Sequence, residues 1–233
     1  MATFVVAHGA WSSGWAWKKM RPLLRAAGHE LFTPSYTGLG ERVHLASPEI
    51  TLSTHIQDVV NVLFFEDLTD VILVGHSYGG MVATGVADKA SERIKKVVYL
   101  DAFVPRDGQS LNDLVRRPQV AATGGEEPPD GWLVPPMPAS ADASPEDLAW
   151  VTPRRVPQPR KTMEEKVKLT GAVDRLPRVY IYCLRIREGD VFGQFAARAK
   201  SEPGWTYEEI DATHSPNITA PDALAEILLR HAG

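Results

Sequence analysis

Val71-Ile72-Leu73-Val74-Gly75-His76-Ser77-Tyr78-Gly79-Gly80-Met81-Val82-Ala83-Thr84 decides how the rest of the chain is read. Four consecutive apolar residues, with no alternation, predict a short strand buried on both faces. Gly75-x-Ser77-x-Gly79 follows at once, and Met81 to Thr84 suits a helix. A strand, a tight turn and a helix with serine at the apex force a strained backbone at that serine. The glycines leave room where Cβ atoms would collide. The Ser77 hydroxyl is thereby pushed into a cleft, which makes it a candidate nucleophile. A phosphate-cradling loop is disfavoured, because no Lys-Ser/Thr pair follows the glycines.

Working outward, Thr3 to Ala7, Val97 to Leu100 and Val179 to Leu184 are also nearly continuous apolar runs, and Trp205 to Ile210 reads as a last strand. Between the first and second of these runs, Ile56, Val59, Val60, Leu63 and Phe64 recur at helical spacing and paint one apolar stripe. Met20, Leu23, Leu24 and Ala27 do the same before Gly28. Thr219 stands three residues before Asp222, a capping-box spacing for a C-terminal helix carrying Leu224, Ile227 and Leu228. Strands alternating with helices predict an α/β fold, a mostly parallel sheet with helices on both faces. Residues 118 to 159 interrupt the rhythm, for they hold 10 of the 18 prolines, too dense a cluster for core sheet. Short helices are still signalled there by Ser144 with Asp147 and by Thr162 with Glu165. The whole chain, 1–233, is read as a single domain in which residues 105–177 form an inserted, Pro-rich, small helical cap.

Composition narrows the function. The 233 residues carry 25 Lys+Arg against 29 Asp+Glu, a net charge of −4, and 44% are hydrophobic. That balance, without a basic run, offers no footprint for nucleic acid, and disorder is excluded. Cys183 is the single cysteine, so no intrachain disulfide framework exists, and a cytoplasmic setting is expected. The opening Met1-Ala2-Thr3-Phe4 has no basic leader pattern, and no stretch approaches the length of a membrane span. No His, Cys and carboxylate cluster has metal-ligand spacing, so no metal is expected.

A serine alcohol needs a base within reach. His214 follows the last strand and precedes the C-terminal helix, so a loop can bring it to the C-terminal edge of the sheet, where α/β sheets bind ligands. His29, His44, His55 and His231 are read as solvated, and alternation turns His76 away from the site. A tetrahedral intermediate needs two preorganised donors. They are assigned to the backbone N–H of Tyr78 and, from the loop His8-Gly9-Ala10-Trp11 after the first strand, that of Ala10.

His8-Gly9-Ala10-Trp11 with Trp15 and Trp17, Pro22-Leu23-Leu24 with Ala27-Gly28-His29, the turn Gly75 to Gly80, and Thr213-His214 together resemble the α/β-hydrolase superfamily. The resemblance is to its plant methylesterase and hydroxynitrile lyase branch and to bacterial esterase relatives. It implies the α/β-hydrolase fold, a Ser-His-acid triad, no cofactor and a small ester as substrate. The acid departs from the pattern. The place that holds it in plant members, about three residues past Cys183, is Ile186 here. Glu188 and Asp190 lie slightly downstream and are candidates. Asp101, at the end of the strand Val97 to Leu100, is the favoured one, since a triad is defined by geometry and not by chain position. A purely structural role for Asp101 is the remaining reading.

Gly9 and Ser215 stand where hydroxynitrile lyases of the branch carry threonine and lysine, so ester hydrolysis by acyl transfer outranks cyanohydrin cleavage. A ligand-binding receptor or pseudoenzyme on the same fold, and hydrolysis of a lactone or a carbamate, are the alternatives. Trp132, Met137 and Trp150 are candidate walls of a substrate pocket under the cap, with core packing as the competing reading.

Overall fold

The computed structural model describes residues 1–115, 131–138, 143–185 and 189–233. Its strands are β1 (Thr3–Ala7), β2 (Glu30–Phe32), β3 (Val71–His76), β4 (Ile94–Leu100), β5 (Leu133–Val134), β6 (Gln158–Pro159), β7 (Arg178–Cys183) and β8 (Trp205–Ile210). Its α-helices are α1 (Met20–Ala26), α2 (Leu52–Phe65), α3 (Gly79–Lys89), α4 (Leu111–Leu114), α5 (Pro145–Val151), α6 (Lys161–Glu164), α7 (Gly193–Ser201), α8 (Pro216–Thr219) and α9 (Pro221–Arg230). Six strands form one sheet in the order β2-β1-β3-β4-β7-β8, and every pairing in it is parallel. β5 and β6 pair antiparallel as a separate small ribbon.

The inner strands β1, β3, β4 and β7 are largely apolar because both faces of the sheet are covered there, whereas the edge strand β8 carries Thr206, Glu208 and Glu209 and is only partly buried. Phe4 and Val6, Ile72 and Val74, Val98 and Leu100, and Val179 and Ile181 point to one side, where α1 and α9 supply Met20, Leu24, Leu224 and Leu228. Their neighbours Val5, Leu73, Val97 and Tyr180 point to the other, against Ile56, Val59 and Leu63 of α2, Met81 and Val82 of α3, and Phe195 of α7. Period-2 alternation thus sorts the strands between two helical layers. β2 was missed by the apolar pattern because it has only three residues and sits at the sheet edge.

The elbow closes only with glycine. A Cβ at Gly79 would overlap the Ala7 carbonyl oxygen of β1, and one at Gly80 would overlap the Phe103 carbonyl oxygen. α3 therefore starts against the ends of β1 and β4, and every residue from Gly79 to Asp88 is buried.

Four local expectations are corrected. Thr219 does not cap the last helix. Pro216 and Pro221 each begin a helix, and a residue before proline is pushed out of the helical region. Ala220 accordingly breaks the chain between α8 and α9, while the Thr219 hydroxyl donates to the Ser215 carbonyl at 3.3 Å. Thr162 lies inside α6 and donates to the Pro159 carbonyl, so it is not an N-cap either. Phe64 is 58% exposed, and the apolar stripe of α2 ends at Leu63. His55 is fully buried, not solvated, because α2 turns it toward the elbow. The Ser144 signal does correspond to a helix start: its hydroxyl accepts the Asp147 N–H at 3.0 Å at the head of α5. Among the described residues no helix is long and apolar enough to cross a membrane.

Candidate active site

Parallel strands bring four loops to one edge. Ser77 follows β3, Asp101 follows β4, the His8-Gly9-Ala10 loop follows β1 and His214 follows β8. Ser77 has φ +56° and Asp101 has φ +41°, both in the left-handed region that residues with a side chain rarely occupy. The two strained turns are sewn together: Ser77 N–H donates to the Leu100 carbonyl at 3.3 Å, and Phe103 N–H donates to the Ser77 carbonyl at 3.2 Å.

His214 joins them. Its Nδ1 lies 2.6 Å from Asp101 Oδ2 and its Nε2 lies 2.9 Å from Ser77 Oγ. A carboxylate can only accept, so Nδ1 carries the hydrogen and Nε2 is left free to accept from the Ser77 hydroxyl. Asp101 is almost wholly enclosed, and its Oδ1 also receives the Cys183 N–H at 3.4 Å. His214 keeps a third of its side chain open to solvent.

His76 is not turned away from this arrangement. Alternation does put it on the side of Ile72 and Val74, but the His214 loop passes over that side. His76 Nε2–H donates to the His214 carbonyl at 2.7 Å, and the two rings lie 5.0 Å apart. Burial and, after it, the neighbouring His214 push the His76 pKa down to about 3, so His76 stays neutral and acts as a prop.

The loop after β1 is fixed by a stack of buried rings. His8 and Tyr36 stack at 3.7 Å, and Tyr36 and His55 at 4.6 Å. His8 Nδ1–H donates to the Gly9 carbonyl at 2.9 Å, while its Nε2 accepts the Tyr36 N–H at 3.3 Å. His55 Nε2–H donates to the Thr37 carbonyl at 3.2 Å, so its Nδ1 accepts the Tyr78 hydroxyl at 2.9 Å. Burial lowers the pKa of His8 to about 4 and of His55 to about 3. It also pushes the Tyr78 phenol up, so all three groups are neutral donors and acceptors. A Cβ at Gly9 would lie 3.3 Å from Ser77 Cβ, so the loop passes directly beside the elbow. The Trp11 N–H is held by Gln158 Oε1 at 3.0 Å and its indole by the Val134 carbonyl at 2.9 Å, which ties the loop to the β5–β6 ribbon. Among the described residues, the N–H groups of Ala10 and Tyr78 have no hydrogen-bond partner.

Other expected residues lie elsewhere. Asp190 is not turned to His214: its carboxylate accepts the Tyr182 hydroxyl at 2.8 Å and the N–H groups of Phe192 and Gly193 at 2.8 and 2.9 Å. Glu188 and Ile186 lie outside the described residues. Trp132 lines an open cavity of about 270 Å³ with Pro48, Gly131, Arg160, Lys161 and Glu164, none of them in the Ser77 arrangement. Trp150 packs edge-on against Trp15 at 5.4 Å, beside the α1 and α9 layer, and Met137 is exposed. Phe192, which stacks on His214, had no distinguishing mark in the sequence; the only signal near it is Asp190, placed two and three residues before the N–H groups it binds. No cluster of three or more His, Cys, Asp or Glu residues suited to a metal ion occurs among the described residues.

With this geometry in hand, the comparison with known proteins is direct. The chain is 41% identical to a carbendazim hydrolyzing esterase of Nocardioides sp. (strain SG-4G), over 98% of both chains. It is 29% identical to a pFDCC methylesterase of Arabidopsis thaliana, over 97% of this chain and 93% of that one. Among solved structures, an extracellular alpha/beta-hydrolase from a Paenibacillus species, described as sharing structural and functional homology with tobacco salicylic acid binding protein 2, superposes with a TM-score of 0.81. That match has 26% identity and covers 100% of this chain and 99% of the other. The model of the alpha/beta hydrolase family matches residues 4–227, and the chain belongs to that family.

Proposed function

We propose that the protein is a serine carboxylesterase that cleaves small, fairly apolar esters through an acyl-enzyme. The observation that carries this reading is the unbroken chain of hydrogen bonds Asp101–His214–Ser77 at the sheet edge. Ser77 Oγ attacks the ester carbonyl carbon and gives its proton to His214 Nε2. The carbonyl oxygen gains the negative charge, which the N–H groups of Ala10 and Tyr78 receive. His214 then protonates the departing alcohol, and a water molecule, activated by the same imidazole, releases the acid and restores Ser77. Asp101 holds the imidazole in the tautomer that can accept from Ser77. Segment 105–177 is the cap of this reading: through Val134 and Gln158 it contacts the loop carrying Ala10.

The names of its relatives make carbendazim and methyl esters the first substrates to try. Steady hydrolysis of p-nitrophenyl acetate by the protein, abolished in Ser77→Ala, is the expected result. Turnover that survives in Ser77→Ala overturns the proposal. A single slow turnover with the product retained supports the receptor reading instead.

A further inference from the structure

The loop after β7 carries a side chain that the acyl-transfer steps leave unused. The Phe192 ring lies nearly parallel to that of His214, with centroids 4.7 Å apart and planes 14° from parallel. Phe103 also packs on Phe192, edge-on at 4.9 Å. The backbone that presents Phe192 is clamped by Asp190, whose Oδ1 accepts the Phe192 N–H while Oδ2 accepts the Gly193 N–H and the Tyr182 hydroxyl. Three donors converge on one carboxylate, and together they fix where the Phe192 ring can stand.

We propose that Phe192 is a positioning residue for His214, held by the Asp190–Tyr182 clamp, and that its ring face stabilises the imidazolium formed when Ser77 gives up its proton. The inference rests on the acyl-transfer reading. A proton moves from Ser77 Oγ to His214 Nε2 as the oxygen bonds to the carbonyl carbon, so the ring changes from neutral to cationic. A phenyl face is electron-rich and attracts a cation within about 6 Å of its centroid, while it does little for a neutral imidazole. The stacking therefore favours the transition state over the resting enzyme. The other groups facing His214 fit this division. Asp101 supplies negative charge at Nδ1, Ser77 stands at Nε2, and His76, neutral through burial, props the carbonyl. Arg155 is the cation whose field reaches His76.

The test is the pH dependence of kcat/KM for p-nitrophenyl acetate in Phe192→Leu, Phe192→Tyr and Asp190→Asn. The base works only when neutral, so the acidic limb reports the His214 pKa. Removing the phenyl face destabilises the cation and lowers that pKa. The limb is expected to move down by about half to one pH unit in Phe192→Leu, with kcat lower by about 3- to 10-fold and KM little changed. Phe192→Tyr is expected to restore both. Asp190→Asn should shift the limb the same way and add nothing in combination with Phe192→Leu. Direct titration of the His214 ring by NMR, in a Ser77→Ala background, reads the same shift where activity is too low to follow. An unmoved limb and an unmoved ring titration in Phe192→Leu overturn the inference, as does an Asp190→Asn loss of about 10⁴ in kcat, which would mark a triad acid. The acyl-enzyme reading fails separately, by turnover in Ser77→Ala.

Discussion

Replacing Asp101 with asparagine keeps the shape of the side chain and removes its charge, and the structure says which atom must change place. Asp101 Oδ1 receives the Cys183 N–H and Oδ2 receives His214 Nδ1–H. An asparagine has one oxygen, which the Cys183 N–H claims, so its NH₂ faces His214. Nδ1 must then accept, and the hydrogen moves to Nε2. That nitrogen now meets the Ser77 hydroxyl as a donor and can no longer take its proton. A triad with the wrong tautomer loses about 10⁴ in kcat, or about 5.6 kcal/mol at about 1.4 kcal/mol per decade. Initial rates of p-nitrophenyl acetate hydrolysis measure it, with urea unfolding of both proteins as the control for folding. KM should change little, because Asp101 is buried beneath the imidazole. An Asp101→Asn enzyme within about tenfold of the parent refutes the tautomer argument and moves the search for the acid back to the loop after β7.

Two further outcomes follow from the buried rings. His8, His55 and His76 have folded-state pKa values lowered to about 4, 3 and 3, below the 6.5 of an unfolded histidine, so the unfolded chain takes up protons first as pH falls. Their stabilising effect is full above pH 6.5 and is lost on acidification, by roughly 2 kcal/mol per histidine at pH 5. Urea midpoints at pH 7.5 and 5.0 should show the loss, and His55→Gln should shrink it by about a third; a midpoint that holds at pH 5.0 contradicts the neutral assignment. Tyr78→Phe should cost about 1 to 3 kcal/mol in the same unfolding assay, since it leaves His55 Nδ1 without its donor. Its kcat should stay within about tenfold, because the amide N–H of residue 78 remains; a drop of about 10³ would mean that the hydroxyl, not the amide, serves the reaction.

The inner strands were legible because burial on both faces leaves an unbroken apolar run, which β1 matches residue for residue; the expected bounds of the edge strand β8, Trp205 to Ile210, also match, although it is only partly buried and carries two glutamates. Ser77 was legible because its turn demands glycine at fixed offsets. His214 was reached by topology, as a residue just past the last strand of a parallel sheet, and Asp101 through the resemblance, as an alternative strand end for the acid; the structure brings both into one arrangement with Ser77. The ring stack of His8, Tyr36, His55 and Tyr78 was not legible, for it joins four segments distant in sequence, and a histidine on an amphipathic helix reads as solvated whichever face it takes. Phe192 was hidden for the same reason, since nothing along the chain marks an aromatic that will meet a ring 22 residues away. The helix starts at Thr162 and Thr219 were misread because a cap spacing is a local rule: Pro216 and Pro221 set the helix starts around Thr219, and Thr162 lies inside α6 with its hydroxyl on the Pro159 carbonyl. Trp132 lines a cavity apart from Ser77, Met137 is exposed, and Trp150 packs on Trp15, in line with the competing core reading.

Covalent capture tests the central claim most directly. When the protein is mixed with excess p-nitrophenyl acetate and quenched in acid within one turnover, peptide mass spectrometry should find one acetyl group on the peptide bearing Ser77, and on Ser77 itself. The same peptide from His214→Ala should be unmodified at that time. Rapid hydrolysis with Ser77 unmodified at every time point, or an acetyl group on another residue that turns over at the catalytic rate, would contradict it.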